Sequence, residues 1–586
     1  MSNSPDSADT SAVATWLAAF NTAIADRDEA AIAALFQDDG HWRDVLAFGW
    51  QIETLSGSAN IAGKLVRTAD EIQPTEIRIA EGRTAPRRVT RAGTDAQEVI
   101  LEFRTARGVA AGVLRLRPTE EGTGLQAWTL LTSLEELAGH QERFSEVRAG
   151  GDAFKREFGG DNWLDLRNKA RAYADREPAV LVVGGGQAGL GIAARLTHLG
   201  VDTLIVDRES RIGDNWRKRY HSLTLHNEVN VNHLPYMPFP PTWPVYIPKD
   251  LLANWFEAYV EALELNYWTG TALTAGQYDK AAGQWQITLQ REDGSERIVR
   301  PRHVVFATGV SAIPVMPDLP GLDNFAGTVM HSGAYTDGLA WKGKKALVLG
   351  TGNSAHDVAQ DLQASGADVT MIQRHSTHIV SLAQAQNVYA IYAEGPPLDD
   401  CDLLATSFPF PVLKEGYRLA TRAAAEVDRA LLDGLAARGF RTNAGVDDGG
   451  FQMSYLQRGG GYYFNVGCSD LIVDGSIGLL NFDEIDQFTA SGVLLKNGDT
   501  VPADLIILAT GFLNQQETVR SFLGDEVAET IGPVWGFDDG GELRNMWRRT
   551  AQPGLWFTAG SLAQCRIYSR YLALQIKACE EGLLSP

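Results

Sequence analysis

The chain has 586 residues, 44% of them hydrophobic and 21% charged, and a formal net charge of −21. That length exceeds what one core can organise and predicts three or four folding units of the soluble globular type. The negative field excludes nucleic acid and anionic lipid surfaces as partners, because both are polyanions.

The opening stretch "MSNSPDSADTSAVATW" is polar and acidic, without the basic start and apolar core of a secretory leader. No later apolar run approaches the roughly 18 residues of a spanning helix, so a cytoplasmic location and no membrane partner are expected. Residues 1–147 read as a separate α+β unit. "VATWLAAFNTAIADRDEAAIAALF" has helical apolar spacing broken at "ADRDE", whereas "VILEFRTARGVAAGVLRLRP" and "GLQAWTLLTSLEEL" alternate or run apolar as strands do. The expected order is two short helices and then a curved sheet. Residues 148–177, charged and punctuated by glycine, read as a helical linker.

"AVLVVGGGQAGLGIAARLTHLGVDTLIVDRE" then runs from a continuous apolar strand through Gly184, Gly186, Gln187 and Gly189 into a helix, and on to a second strand ending at Asp207 and Arg208. Two of these glycines permit a tight turn and close approach to a pyrophosphate, and the third lets helix and strand pack together. The helix N-terminus offers free N–H groups and a positive dipole to the phosphates, and Asp207 is placed to accept from a ribose. Farther on, "KKALVLGTGNSAHDVAQDLQASGADVTMIQRH" repeats the plan with Gly350, Gly352, Asn353, Ser354 and Ala355. Its second strand ends in "QRH", so Arg374 would meet a ribose 2′-phosphate that an acid would repel. These features predict FAD or NAD in the first cradle and NADPH in the second. Two apolar strands end alike in Ala-Thr-Gly, which puts Thr308, Gly309, Thr510 and Gly511 at the carboxyl edge of a parallel sheet, where dinucleotides pass. Cys401, Cys468, Cys565 and Cys579 show neither zinc-type nor paired spacing, so no metal and no disulfide framework are expected.

Taken in order, "GGGQAG", "GDNWRKRYHSLTLHN", "YIPKDLL", "FAGTVMHSGAY", "GTGNSA" and "ATGF" resemble the motifs of class B flavoprotein monooxygenases. That group includes flavin-containing, Baeyer–Villiger and YUCCA-type enzymes, and the resemblance covers residues 178–576. Phe325, Gly327, His331 and Tyr335 fit its fingerprint, and Tyr335 stands where Baeyer–Villiger forms usually carry Trp. The extension before the first cradle resembles type II flavin-containing monooxygenases, a group of relaxed NADH/NADPH preference. The extension itself resembles NTF2-like or SnoaL-like folds, which makes a homodimer an option and His41 with Asp44 a candidate acid–base pair.

The resemblance implies an α/β chain with two Rossmann-like units. FAD would be held by residues 178–325 and 498–586, and NADPH by an inserted unit at 326–497. It also implies an oxygen atom passed from O2 through a C4a-(hydro)peroxyflavin to a small-molecule substrate, either a ketone or an N- or S-centre. In the family pattern Asn215, Trp216 and Tyr220 lie near the flavin, and Ser222, His226 and Asn227 are the candidates for its reactive edge. His331 acts between the domains, and the helix containing "RIYSRYLALQIKA" approaches the ring by its N-terminal side. The stretch "SLAQAQNVYAIYAEGPPLDDCDLL" reads as an apolar loop over the substrate. A ferredoxin-type reductase and a non-catalytic flavin sensor share the two cradles and are the competing readings.

Overall fold

The computed structural model describes residues 7–119, 122, 124–144 and 158–585. The boundary expected at 147/148 and the linker residues 148–157 lie outside the described residues. The rest of the expected linker carries the helix Trp163–Ala172, started by a reciprocal cap between Asn162 and Asp165.

The first helix runs Ser7–Asp26, and the second, Glu29–Ala34, starts where Asp28 accepts from the Ala31 N–H at 2.9 Å. The polar break therefore separates two helices, as its composition implies. The sheet that follows has seven strands, with Ile52–Ser56, Phe36–Val45, Leu125–Leu137, Gly108–Pro118, Thr94–Thr105 and Thr75–Ile79 side by side and Arg87–Arg91 added on Thr94–Thr105. Two features differ from expectation. The first helix is long, at 20 residues, and a third helix, Ser58–Ile72, interrupts the strands. Its buried Ile61, Leu65, Ala69 and Ile72 form one apolar stripe that closes the core. His41 and Asp44 do not pair. His41 Nδ1 meets the Ser56 hydroxyl at 2.7 Å, while Asp44 is fully buried and accepts from Thr132, Phe48 and Gly49.

Two five-stranded sheets, parallel throughout, follow. The first orders Asn266–Trp268, Thr203–Val206, Val180–Val183, His303–Phe306 and Leu555–Phe557. The second orders Thr328–His331, Leu505–Leu508, Lys345–Leu349, Asp368–Gln373 and Gly478–Asn481. Helices cover these sheets, so their inner strands are buried nearly without a break and read as solid apolar runs, while the edge strands Asn266–Trp268, Thr328–His331 and Gly478–Asn481 are half-buried. Because Leu505–Leu508 lies between Thr328–His331 and Lys345–Leu349, the second unit reaches past the boundary expected at 497/498. The chain returns to the first sheet at Leu555–Phe557.

The stretch expected as an apolar loop is largely helical: Leu382–Ala385, a 3-10 run Gln386–Ala393, and Leu398–Thr406. It packs with the helix Phe410–Val427 against the N-terminal sheet, where Val412 and Phe408 meet Ala96 and Trp128. Among the described residues no helix is long and apolar enough to cross a membrane.

Candidate functional site

Each nucleotide cradle is shaped by backbone that leaves no room for a side chain. Gly184 has φ +105°, and a Cβ there would lie 2.7 Å from the Ala307 carbonyl; a Cβ on Gly189 would lie 1.9 Å from the Gly184 carbonyl. The helix Gln187–His198 follows, with Gly186 at its N-cap and no side chain capping it. In the second unit Gly350 has φ +126°, and Gly352 likewise starts the helix Asn353–Ala364 without a side-chain cap. Both helices thus keep N–H groups free at their positive ends, which suits an anion.

Asp207 ends its strand as expected, but its carboxylate already ties the first loop: it accepts from Gly185 N at 2.6 Å and Glu209 N at 2.9 Å. The buried carboxylate also faces the Tyr267 hydroxyl, whose pKa is raised by burial and by this carboxylate. Arg208 points outward, 78% exposed, toward Glu209. The Thr308 hydroxyl is buried and has no partner among the described residues, and the Gly309 carbonyl accepts from Gln515 Nε2 at 2.5 Å.

A cavity of about 660 Å³ brings together the six residues expected at the second cradle, Gly350, Gly352, Asn353, Ser354, Ala355 and Arg374, and adds Thr510 and Gly511, which the expected bounds placed in the FAD unit. Arg374 follows the strand Asp368–Gln373 and has no carboxylate partner among the described residues.

A separate cavity of about 350 Å³ lies where the two units meet. Gln187 and Trp216 from the first unit, Asn353 from the second, and both His226 and Asn227 share its walls. Trp216 Nε1 donates to Gln187 Oε1 at 3.3 Å, and Gln187 Nε2 donates to the Gly560 carbonyl at 3.2 Å. Asn215 sits beside the first loop, since its amide would lie 2.8 Å from a Cβ on Gly186. The last helix starts earlier than its quoted motif, at Leu562, capped by Ser561; Gly560, Ser561 and Leu562 form part of this wall.

His226 stacks edge-on to Phe464 at 5.3 Å, with Nε2 3.9 Å from Asp357 Oδ2. Asp357 belongs to the helix Asn353–Ala364 and also accepts from the Tyr220 hydroxyl. Burial pushes the His226 imidazole below its ordinary range, and Asp357 pulls it part of the way back. Burial likewise raises the Asp357 carboxyl, against the opposing pull of His226 and Tyr220.

Two expected residues stand elsewhere. Ser222 lies in an exposed turn. His331 does not join His226 and Asn227: Gly333 N donates to its Nδ1 at 3.0 Å, so Nε2 carries the proton and donates to the Gly511 carbonyl at 3.1 Å. Both ring nitrogens are thereby spent on backbone, and the ring braces the loop that Gly511 contributes to the second cradle. The rest of the fingerprint has the same structural sense. A side chain at Gly327 would collide with the Phe325 ring at 2.6 Å, and Tyr335 donates to Asp361 at 2.6 Å.

Sequence reasoning missed Arg219, Tyr389, Gln452, Tyr455 and Tyr462, which complete the wall. Tyr389 accepts from Gln452 Nε2 at 2.9 Å, and Tyr455 donates to Gln564 Oε1 at 3.2 Å. The aromatic content of "NVYAIYAEG" was the one available signal. All four cysteines are free thiols.

Comparison with known proteins adds relatives to this geometry. A family profile described as pyridine nucleotide-disulphide oxidoreductase matches residues 181–388. Indole-3-pyruvate monooxygenase YUCCA1 of Oryza sativa subsp. japonica is 32% identical over 349 residues, 59% of this chain and 79% of the relative. The probable indole-3-pyruvate monooxygenase YUCCA4 of Arabidopsis thaliana is 30% identical over 336 residues, 57% of this chain and 75% of that one. Among solved structures, an ε-caprolactone-bound cyclohexanone monooxygenase aligns with a TM-score of 0.51 at 17% identity, over 69% of this chain and 88% of that one. OTEMO in complex with FAD and NADP aligns with a TM-score of 0.52 at 16% identity, over 70% and 87% respectively. At such identities the two structures speak for the fold.

Proposed function

The chain belongs to the class B flavoprotein monooxygenases, and on that premise we propose that it holds FAD in the cradle of residues 184–189 and NADPH in that of residues 350–355. We propose further that it uses them with O2 to oxygenate a ketone. The balanced reaction is ketone + NADPH + H⁺ + O2 → ester + NADP⁺ + H2O: one carbon–carbon bond beside the carbonyl breaks, and two carbon–oxygen bonds hold the inserted atom. The residues present fit both groups, given Gly184, Gly189 and Gly350, which admit no Cβ, the two uncapped helix starts and the Thr308 hydroxyl, which has no partner among the described residues. The observation that carries the reading is the shared cavity, whose walls come from both cradles at once.

A flavin, when bound and reduced by the nicotinamide, supplies the electrons with which O2 is divided between substrate and water. The chain's own side chains orient and exclude. Gln187 and Trp216 fix one wall by their mutual hydrogen bond, and the Gly560 carbonyl fixes Gln187. His226, kept neutral by burial, and the Asn227 amide offer hydrogen bonds at the reacting edge, while Tyr389, Tyr455, Tyr462 and Phe464 keep bulk water out. Arg374 would pair with the 2′-phosphate of NADPH, with NADH accepted less well. The N-terminal unit is read as an NTF2-like cover on this site, and four free thiols suit a reducing, cytoplasmic setting. A carbonyl substrate is supported by the relatives, which are named for indole-3-pyruvate.

The test is anaerobic reduction of the yellow protein by NADPH, then admission of O2 with and without a cyclic ketone. Bleaching followed by lactone formation is expected. Reoxidation that yields only hydrogen peroxide would favour a reductase, and a flavin that NADPH cannot bleach would favour a sensor.

A further inference from the structure

The cavity holding His226 and Asn227 shares Tyr389, Gln452, Tyr455 and Ser561 with a second space of about 380 Å³. One wall of that space comes from the N-terminal unit: Arg43 on the strand Phe36–Val45, Ile52, and Thr90 and Arg91 at the end of Arg87–Arg91. Facing walls are aromatic and aliphatic, with Phe408 and Val412 on one side and Met546, Trp547 and Ile567 on the other.

Three arginines line this space, and each is already satisfied by a carboxylate. Arg43 grips Glu542 with two hydrogen bonds, 2.9 and 2.7 Å, and donates to the Thr406 carbonyl at 2.5 Å. Arg91 is held by Glu98 and Glu394, and Arg548 by Asp538 at 2.6 Å. Glu542 lines the space too, with both carboxylate oxygens taken by Arg43. An entering carboxylate would lose its hydration and find no unspent cation, which is costly, whereas an uncharged molecule loses little. The volume lies within the range of pockets that enclose small drug-like molecules.

We propose that this space is the substrate chamber, that it takes an uncharged, largely apolar ketone and rejects an α-keto acid anion, and that the N-terminal unit enforces the choice through Arg43 and Glu542. The proposal rests on the oxygenase reading above. It separates this chain from relatives named for indole-3-pyruvate, itself an α-keto acid.

The test is equilibrium binding to the flavin-loaded protein, followed by tryptophan fluorescence, with 4-phenylcyclohexanone and phenylpyruvate as probes. The wild type should bind the ketone at least tenfold more tightly. Glu542→Gln uncovers the Arg43 charge and should move the ratio of affinities toward the anion by roughly tenfold or more, the strength of a charge-assisted hydrogen bond. Equal binding by the wild type, or an unmoved ratio in the variant, overturns the proposal. Should Glu542→Gln fail to retain flavin, Thr90→Trp at the exposed rim decides the matter: it should weaken ketone binding at least tenfold, and unaltered binding refutes the chamber. Bleaching of the wild-type flavin by NADPH is scored separately, so a failed oxygenase reading and a failed chamber give different results.

Discussion

Glu98 sits among three arginines of the N-terminal sheet. Arg115 reaches it at 2.9 and 2.8 Å, Arg91 at 3.1 and 2.9 Å, and Arg87 at 3.2 and 2.8 Å. Burial alone would raise its pKa, but Arg115, Arg91 and Arg87 together hold it down at about 2. Glu394 shares Arg87 and Arg91, whereas Arg115 is fully buried and has no other carboxylate among the described residues. Glu98→Gln therefore leaves an uncompensated buried cation, and breaking such a pair costs about 3–5 kcal/mol. The sign with pH follows from linkage. A depressed folded-state pKa contributes stability that is complete above the unfolded value of 4.5 and is lost as pH falls toward about 2. The gap between wild type and variant should thus be about 2 kcal/mol smaller at pH 3 than at pH 7. Urea unfolding followed by tryptophan fluorescence at both pH values measures it, with Trp128 buried on the same sheet as a local reporter. The double change Glu98→Gln with Arg115→Met should recover most of the loss, because it removes the stranded charge. A Glu98→Gln variant within about 0.5 kcal/mol of wild type at pH 7, or a gap independent of pH, would refute the electrostatic account.

Arg374→Ala should raise KM for NADPH about tenfold or more and leave KM for NADH little changed, as steady-state oxidation of the two nucleotides will show. Gly327→Ala places a Cβ 2.5 Å from the Asp504 carbonyl and 2.6 Å from the Phe325 ring, so it should cost about 1–3 kcal/mol, read as a lowered Tm. Asp357→Asn removes the charge that raises the His226 pKa, so the imidazole should titrate at still lower pH. Proton NMR of the histidine resonances, with His226→Ala for assignment, checks this, and a shift upward would contradict it.

What was legible in the sequence was local. The glycine pattern of each cradle lies within one strand–turn–helix, although the carbonyls that bar a Cβ at Gly184 and Gly350 come from Ala307 and Ala509 on distant strands, and strands buried on both faces announce themselves as apolar runs. The position of Arg374, just past a strand whose register is set within its own unit, was legible in the same way; its part in nucleotide choice is a proposal. The boundary at 497/498 was not, because pairing Leu505–Leu508 inside the second sheet is a choice among strands that look alike in composition. Nor was the chamber wall. Arg43 and Glu542 are 499 positions apart, and neither stands in a pattern that marks its neighbour. Ser222 misled because it shares a segment with His226, while the chain turns outward between them.

The seam between the N-terminal unit and the rest carries charge as well as apolar surface. Arg43 pairs with Glu542, Arg91 with Glu394, and Glu135 with Arg570, each joining a residue of the N-terminal sheet to one beyond residue 390. Thr84 adds two hydrogen bonds to the buried Asp400, at 2.8 and 2.5 Å. A buried pair such as Arg43–Glu542 contributes little net stability compared with an apolar replacement, yet separating it is expensive because each charge is left desolvated without its partner. A seam made this way resists sliding and tilting more than its apolar area alone would. That stiffness matters most at Arg43, where a small displacement would expose either a cation or an anion to the chamber and change what it admits.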